Sequence, residues 1–178
     1  MKTLLTFLLA IGGVSPAQTL LTSTTGTISF YSEAPLENIE ARNRKFVVKY
    51  DPPSGKIEAT VLMKGFEFKK ALMQEHFNEN YVESDKYPKS FFTGTVNTQE
   101  ISLLKNKVYD VLASGTLTLH GVSQKVSVPG SITIKDGSLS LKAVFDIQLA
   151  DYKIKIPAVV RNNIGKTVTI TIVADHFK

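Results

Sequence analysis

Apolar and polar residues alternate with a period of two from residue 26 to the C-terminus, and that pattern restricts most of the chain to half-buried β-strands. The clearest case is residues 130–149. Ile132 and Ile134 precede Lys135-Asp136-Gly137-Ser138, after which Leu139, Leu141, Ala143, Phe145, Ile147 and Leu149 share one face. Asp-Gly between alternating runs predicts a tight hairpin, because both turn residues must accept positive φ. Phe46, Val48 and Tyr50 lead in the same way into Pro52-Pro53-Ser54-Gly55, and Ile57, Ala59, Val61 and Met63 lead out. Lys105-Asn106-Lys107 separates a run at 101–104 from one at 108–119. His120-Gly121 opens the turn to Val126 and Val128, and Val168, Ile170, Ile172 and Ala174 close the chain. About eight strands are expected.

The two faces of these strands differ sharply. Opposite the apolar stripe of the last strand stand Thr167, Thr169 and Thr171, and beside Phe145 stand Lys142, Asp146 and Gln148. One face is dry and the other wet. An antiparallel sheet of this length keeps one face dry either as a two-sheet sandwich or by closing into a barrel. A barrel of about eight strands leaves room for one small ligand. Periodicity alone does not choose between them, nor between a packed core and a hollow one.

Residues 69–81 (KKALMQEHFNENY) break the pattern. They contain no β-branched residue, Gly or Pro, and Leu72, Met73, Phe77 and Tyr81 recur at helical spacing, so a helix of about three turns is expected before Tyr87-Pro88. Inserted between strands, it would pack over the sheet or across one end.

The first seventeen residues read as a secretory signal. Met1-Lys2 is a short positive region, residues 4–14 are uncharged and apolar, and Ser15-Pro16-Ala17 offers small residues for cleavage, so the mature chain is expected to begin at Gln18 and to span 18–178. The apolar run falls short of the roughly 20 residues a membrane-spanning helix needs. An exported, soluble, single-domain protein is expected, with no disulfide, thiolate metal site or thiol nucleophile, since the chain has no cysteine. The formal net charge of +5 is mild and scattered, which argues against nucleic-acid binding.

Candidate chemistry is sparse. Glu75, His76 and Glu79 lack a second helical histidine and the spacing of a metal site. His120 near Ser123 lacks the strained Gly-x-Ser-x-Gly turn of a nucleophile, and Glu83 and Asp85 sit in a polar stretch that reads as a solvated loop. Neither catalytic residues, nor a metal, nor a cofactor is expected.

Three segments carry a resemblance. The first is His76-Phe77 with Asp85-Lys86-Tyr87-Pro88 and Phe91-Phe92-Thr93-Gly94. The second is Gly115-Thr116-Leu117-Thr118-Leu119-His120-Gly121-Val122 followed by Gln124-Lys125-Val126-Ser127-Val128-Pro129. The third is Phe145 through Ala150-Asp151-Tyr152, with the closing strand at 167–172. Together these resemble the YceI-like family, the lipid or polyisoprenoid-binding YceI domain. The resemblance implies a lipocalin-like, eight-stranded antiparallel β-barrel with one inserted short α-helix. Its interior tunnel would take a long apolar chain such as a polyisoprenoid, an isoprenoid quinone or another lipid. It also implies a periplasmic or secreted binding protein without enzymatic activity.

Under that reading the expected tunnel residues are Phe46, Val48, Val61, Met63, Leu117, Leu119, Phe145, Ile147 and Leu149, with Phe66, Phe68, Leu72, Phe91 and Phe92 near the helix. Arg161 or a nearby lysine is a candidate for an anionic head group, against the ordinary role of a solvated charge. The expected partner is a long-chain lipid or isoprenoid; the sequence leaves a homodimer open. The alternatives are a non-transporting stress-response or interaction module with a packed core, an outer-membrane barrel, against which the Thr- and Lys-rich wet face argues, and an isoprenoid-handling enzyme.

Overall fold

The computed structural model describes residues 20–33, 38–97, 101–157 and 165–178. The expected signal segment and Arg161 lie outside these residues. Eleven strands form one antiparallel sheet: β1 Leu21–Ser23, β2 Thr25–Ser32, β3 Ile39–Asn43, β4 Phe46–Asp51, β5 Lys56–Leu62, β6 Phe66–Phe68, β7 Lys89–Val96, β8 Lys107–Leu119, β9 Val122–Lys135, β10 Ser138–Gln148 and β11 Thr167–Asp175. Their order across the sheet is β1-β4-β5-β7-β8-β9-β10-β11-β2-β3-β6.

The all-β, antiparallel, curled architecture agrees with the sequence, whereas the expected count of eight strands is corrected to eleven. The excess has a definite source. Three long runs are each cut once, at Thr24, at Arg44-Lys45 and at Met63–Gly65, giving β1 and β2, β3 and β4, and β5 and β6. The halves then part company. β1, β4 and β5 begin the strand order while β2, β3 and β6 end it, so the sheet curls round to meet the runs from which it started, without being an uninterrupted eight-stranded wall. The C-terminal residue reinforces this meeting: Thr22 and Lys178 exchange backbone hydrogen bonds of 2.7 and 3.1 Å.

Side chains stand in for ladder partners at the cuts. Asn43 is fully buried; its Nδ2 donates to the Leu62 carbonyl at 2.8 Å and its Oδ1 accepts from Lys45 N–H at 2.7 Å. At the first cut, Ser23 Oγ donates to the Asp175 carbonyl and accepts from Thr25 N–H. Backbone groups that leave a ladder inside a core need such partners, and short polar side chains supply them locally.

A second correction concerns residues 101–104, expected as a strand. They form a turn-rich connection in which Ile101 and Leu103 pack on the core, Leu104 is exposed, and Ser102 N–H bonds the Tyr109 hydroxyl at 3.2 Å. The two-residue hairpins are as expected. Asp136 and Gly137 have φ of 50° and 76°, His120 and Gly121 of 51° and 71°, the left-handed pair that joins twisted strands tightly. The expected helix is present as α1, Ala71–His76, continued by a wider π turn over Phe77–Tyr81 that is closed by Val82 N–H to Phe77 carbonyl at 3.0 Å.

Candidate functional site

Alternation on a curled sheet sends one side chain in two to the concave face, and these enclose a cavity of about 340 Å³. β5 contributes Ile57, Ala59 and Val61; β8 contributes Val111, Ala113, Leu117 and Leu119. From β10 come Leu141, Ala143, Phe145 and Ile147, continued by Leu149, and from β11 come Val168, Ile170 and Ile172. On β8 the lining runs from Val111 to Leu119, which at ~3.3 Å per residue is about 26 Å of strand. The cavity is therefore long and narrow.

At the end from which α1 departs, four rings converge. Phe77 lies 5.5 Å from Phe30 in a stacked arrangement, 5.5 Å from Phe66 and 5.1 Å from Phe68, and Phe30 contacts both β6 rings at 5.3 and 5.8 Å. All four rings line the cavity, together with Met73, His76 and Tyr81. Offset and edge contacts of this kind add to what burial alone gives, so the helical segment is held to the sheet chiefly through Phe77.

Twelve of the residues read from the sequence lie on this cavity: Val48, Val61 and Met63; Phe66, Phe68, Phe91 and Phe92; Leu117 and Leu119; Phe145, Ile147 and Leu149. Two do not. Phe46 is buried in the wall rather than on the cavity, and Leu72 is 62% exposed on the outer side of α1. The sequence reading passed over Ile28 and Phe30 of β2 and Val96 of β7, whose alternation was available, and chose Leu72 over Met73 and Phe77. Ile154, beyond the short turn at Leu149–Tyr152, has no periodic signal to betray it.

The histidine of the motif at residues 115–122 has a structural task. His120 Nδ1 donates to the Tyr152 carbonyl at 3.0 Å, Nε2 meets Glu83 Oε2 at 2.7 Å, and the Tyr87 ring stands edge-on 4.8 Å away. One imidazole thus ties the β8–β9 turn to the segment after the helix and to the turn after β10. Its hydrogen bond, more than the nearby Lys86 ammonium, holds the Glu83 carboxyl below its usual value. Ser123 Oγ bonds Thr118 Oγ1 at 2.8 Å rather than His120, and Asp85 pairs with Lys64. Among the described residues no three His, Asp or Glu side chains are placed to hold a metal ion, and no helix is long and apolar enough to cross a membrane.

The motif-bearing segments are thus knit together around one half-buried ring. The model of the YceI-like domain family matches residues 9–175. The chain belongs to the YceI-like family. Solved structures share the fold of this YceI-like domain at low identity. A polyisoprenoid binding domain from Saccharophagus degradans, implicated in plant cell wall breakdown, is 15% identical with a TM-score of 0.75, over 90% of this chain and 98% of that one. BcnA of Burkholderia cenocepacia is 17% identical with a TM-score of 0.72, over 84% and 95%. A Campylobacter jejuni YceI protein is 18% identical with a TM-score of 0.61, over 82% and 88%. Among proteins with curated descriptions none matches this YceI-like chain.

Proposed function

We propose that this YceI-like protein binds and carries a long-chain apolar amphiphile, a polyisoprenoid, an isoprenoid quinone or another single-chain lipid, and does so in the periplasm or after secretion, without catalysing a reaction on it. The observation that carries the reading is the cavity: about 340 Å³ of space walled almost wholly by aliphatic and phenyl groups and drawn out along the strands. At roughly 30 Å³ for a group the size of a water or a methylene, it holds about eleven such groups in a row. Burying them at about 0.8 kcal/mol each offers roughly 9 kcal/mol before the entropy of association is subtracted. A packed interaction module would have no use for such a void, which costs stability when empty. The polyisoprenoid-binding description of the Saccharophagus structure is consistent with this reading, and the signal-like N-terminus supports export.

The test is to purify the protein without detergent, extract it with organic solvent and identify what is released by mass spectrometry. A near-stoichiometric molecule with one long hydrocarbon chain is expected. Absence of any such molecule, together with no uptake of a long-chain fluorescent probe by the extracted and refolded protein, overturns the proposal.

A further inference from the structure

We infer that Ser32 hydrogen-bonds the head group of the bound molecule and that this head group is neutral, a carbonyl or hydroxyl at the end of the hydrocarbon chain; the inference rests on the lipid-binding reading above. The inward positions of β2 are Ile28, Phe30 and Ser32, so a serine takes the last place in a stripe that is otherwise apolar. Ser32 lines the cavity, is 2% exposed, and its Oγ has no hydrogen-bond partner. Nearly all buried hydroxyls are satisfied, and a ligand oxygen would supply the missing bond here.

The position fits a head group. Ser32 pairs with Ile39, and two residues along β3 Ala41 pairs with Phe68, the last residue before the chain turns into α1. Ser32 therefore lies at the helix end of the cavity, where the polar wall residues His76 and Tyr81 also stand. The far end, at Ile57, Val96, Val111, Val128 and Leu141, is aliphatic. The tail points there. Gly165 packs over the serine: a Cβ on it would stand 2.7 Å from Ser32 Oγ, so the glycine leaves space for the hydroxyl where it stands, and a turn to another staggered position would bring it to the chain end.

Charge is what the wall lacks. Among the described residues Lys142 is the one Lys, Arg, Asp or Glu touching the cavity, and it is exposed, between the inward Leu141 and Ala143. Among the described residues an ionised head group beside Ser32 would meet no Lys, Arg, Asp or Glu, only the exposed imidazole of His76.

Displacement of the neutral dye N-phenyl-1-naphthylamine by dodecane, 1-dodecanol, 2-dodecanone and dodecanoate tests this on the ligand-stripped protein. The alcohol and ketone are expected to bind about fivefold more tightly than dodecane. Ser32→Ala should erase that preference, bringing the ratio of alcohol to dodecane affinity to about one, and Ser32→Thr, which keeps a hydroxyl, should retain it. Equal affinity of the wild type for the three neutral probes overturns the role of Ser32 and leaves lipid binding standing. Tightest binding of dodecanoate overturns the neutral head group. Loss of dodecane binding in a folded Ser32→Ala protein makes the serine a structural residue only. Failure of every probe to displace the dye from the wild type overturns the lipid-binding reading and this inference with it.

Discussion

Asn43 sits where two of the three cut runs meet, and its amide satisfies the Leu62 carbonyl and the Lys45 N–H at once. Asn43→Ala would leave both of these part-buried groups without that partner, at about 1–3 kcal/mol for each bond left unmade. A loss of roughly 2–4 kcal/mol is expected in urea unfolding, well beyond that of an exposed substitution such as Lys142→Ala. His120 makes a different kind of tie, and one that responds to acid. Because its hydrogen bond lowers the Glu83 pKa from the ordinary 4.5, the unfolded chain takes up that proton before the folded one does. The stabilisation is complete above about pH 4.5 and is lost as pH falls through the lowered value. Thermal unfolding should therefore show the gap between wild type and Glu83→Gln narrowing on acidification below about 4.5; a gap that stays level there would mean that the carboxylate contributes nothing through its charge. Neither role announced itself in the sequence. Asn43 lies between two alternating runs with nothing to mark its burial, and His120 read as an ordinary turn residue, because its partners are far away along the chain.

The strands were legible because a two-residue period reports which face is dry, and it does so without knowledge of the neighbour. The cuts within the first three runs were not, since they answer to tertiary needs: where the sheet curls, a run must leave one partner and take up another. The helical segment was legible in extent and less so in direction. Leu72 and Met73 are consecutive and hence about 100° apart around a helix axis, so only one can share the stripe of Phe77 and Tyr81. Packing against Phe30, Phe66 and Phe68 selected Met73, and Leu72 turned to solvent. A segment with no fully buried residue in α1, pinned chiefly by one phenylalanine, should open more readily than the long hairpins. Hydrogen exchange should accordingly slow in residues 66–92 when the cavity is filled, by more than at the Asp136-Gly137 hairpin. Equal changes in both would make the segment a fixed brace. Phe77→Ala should speed exchange in α1 even without ligand.

Whether the concave face encloses a solid core or a tunnel is invisible to periodicity, since both require the same apolar stripe; only the curvature of the whole sheet sets the volume left over. That volume can be probed by filling it. Leu117 lines the cavity, and Leu117→Trp in a packed core would cost roughly 1–3 kcal/mol. Here the melting temperature of the ligand-free protein should barely move, while its capacity for a long-chain probe falls. A marked drop in melting temperature would point to a filled interior. The way the sheet comes round on itself also sets the order of events in the life of each molecule. The rungs that complete the wall join Thr25 to Asp175 and Tyr31 to Thr169, so the first strands must wait for the last. Contacts so distant along a chain are slow to form. A growing polypeptide therefore has no enclosed cavity, and under the carrier function proposed above each copy would take up its first ligand only after the final strand has docked.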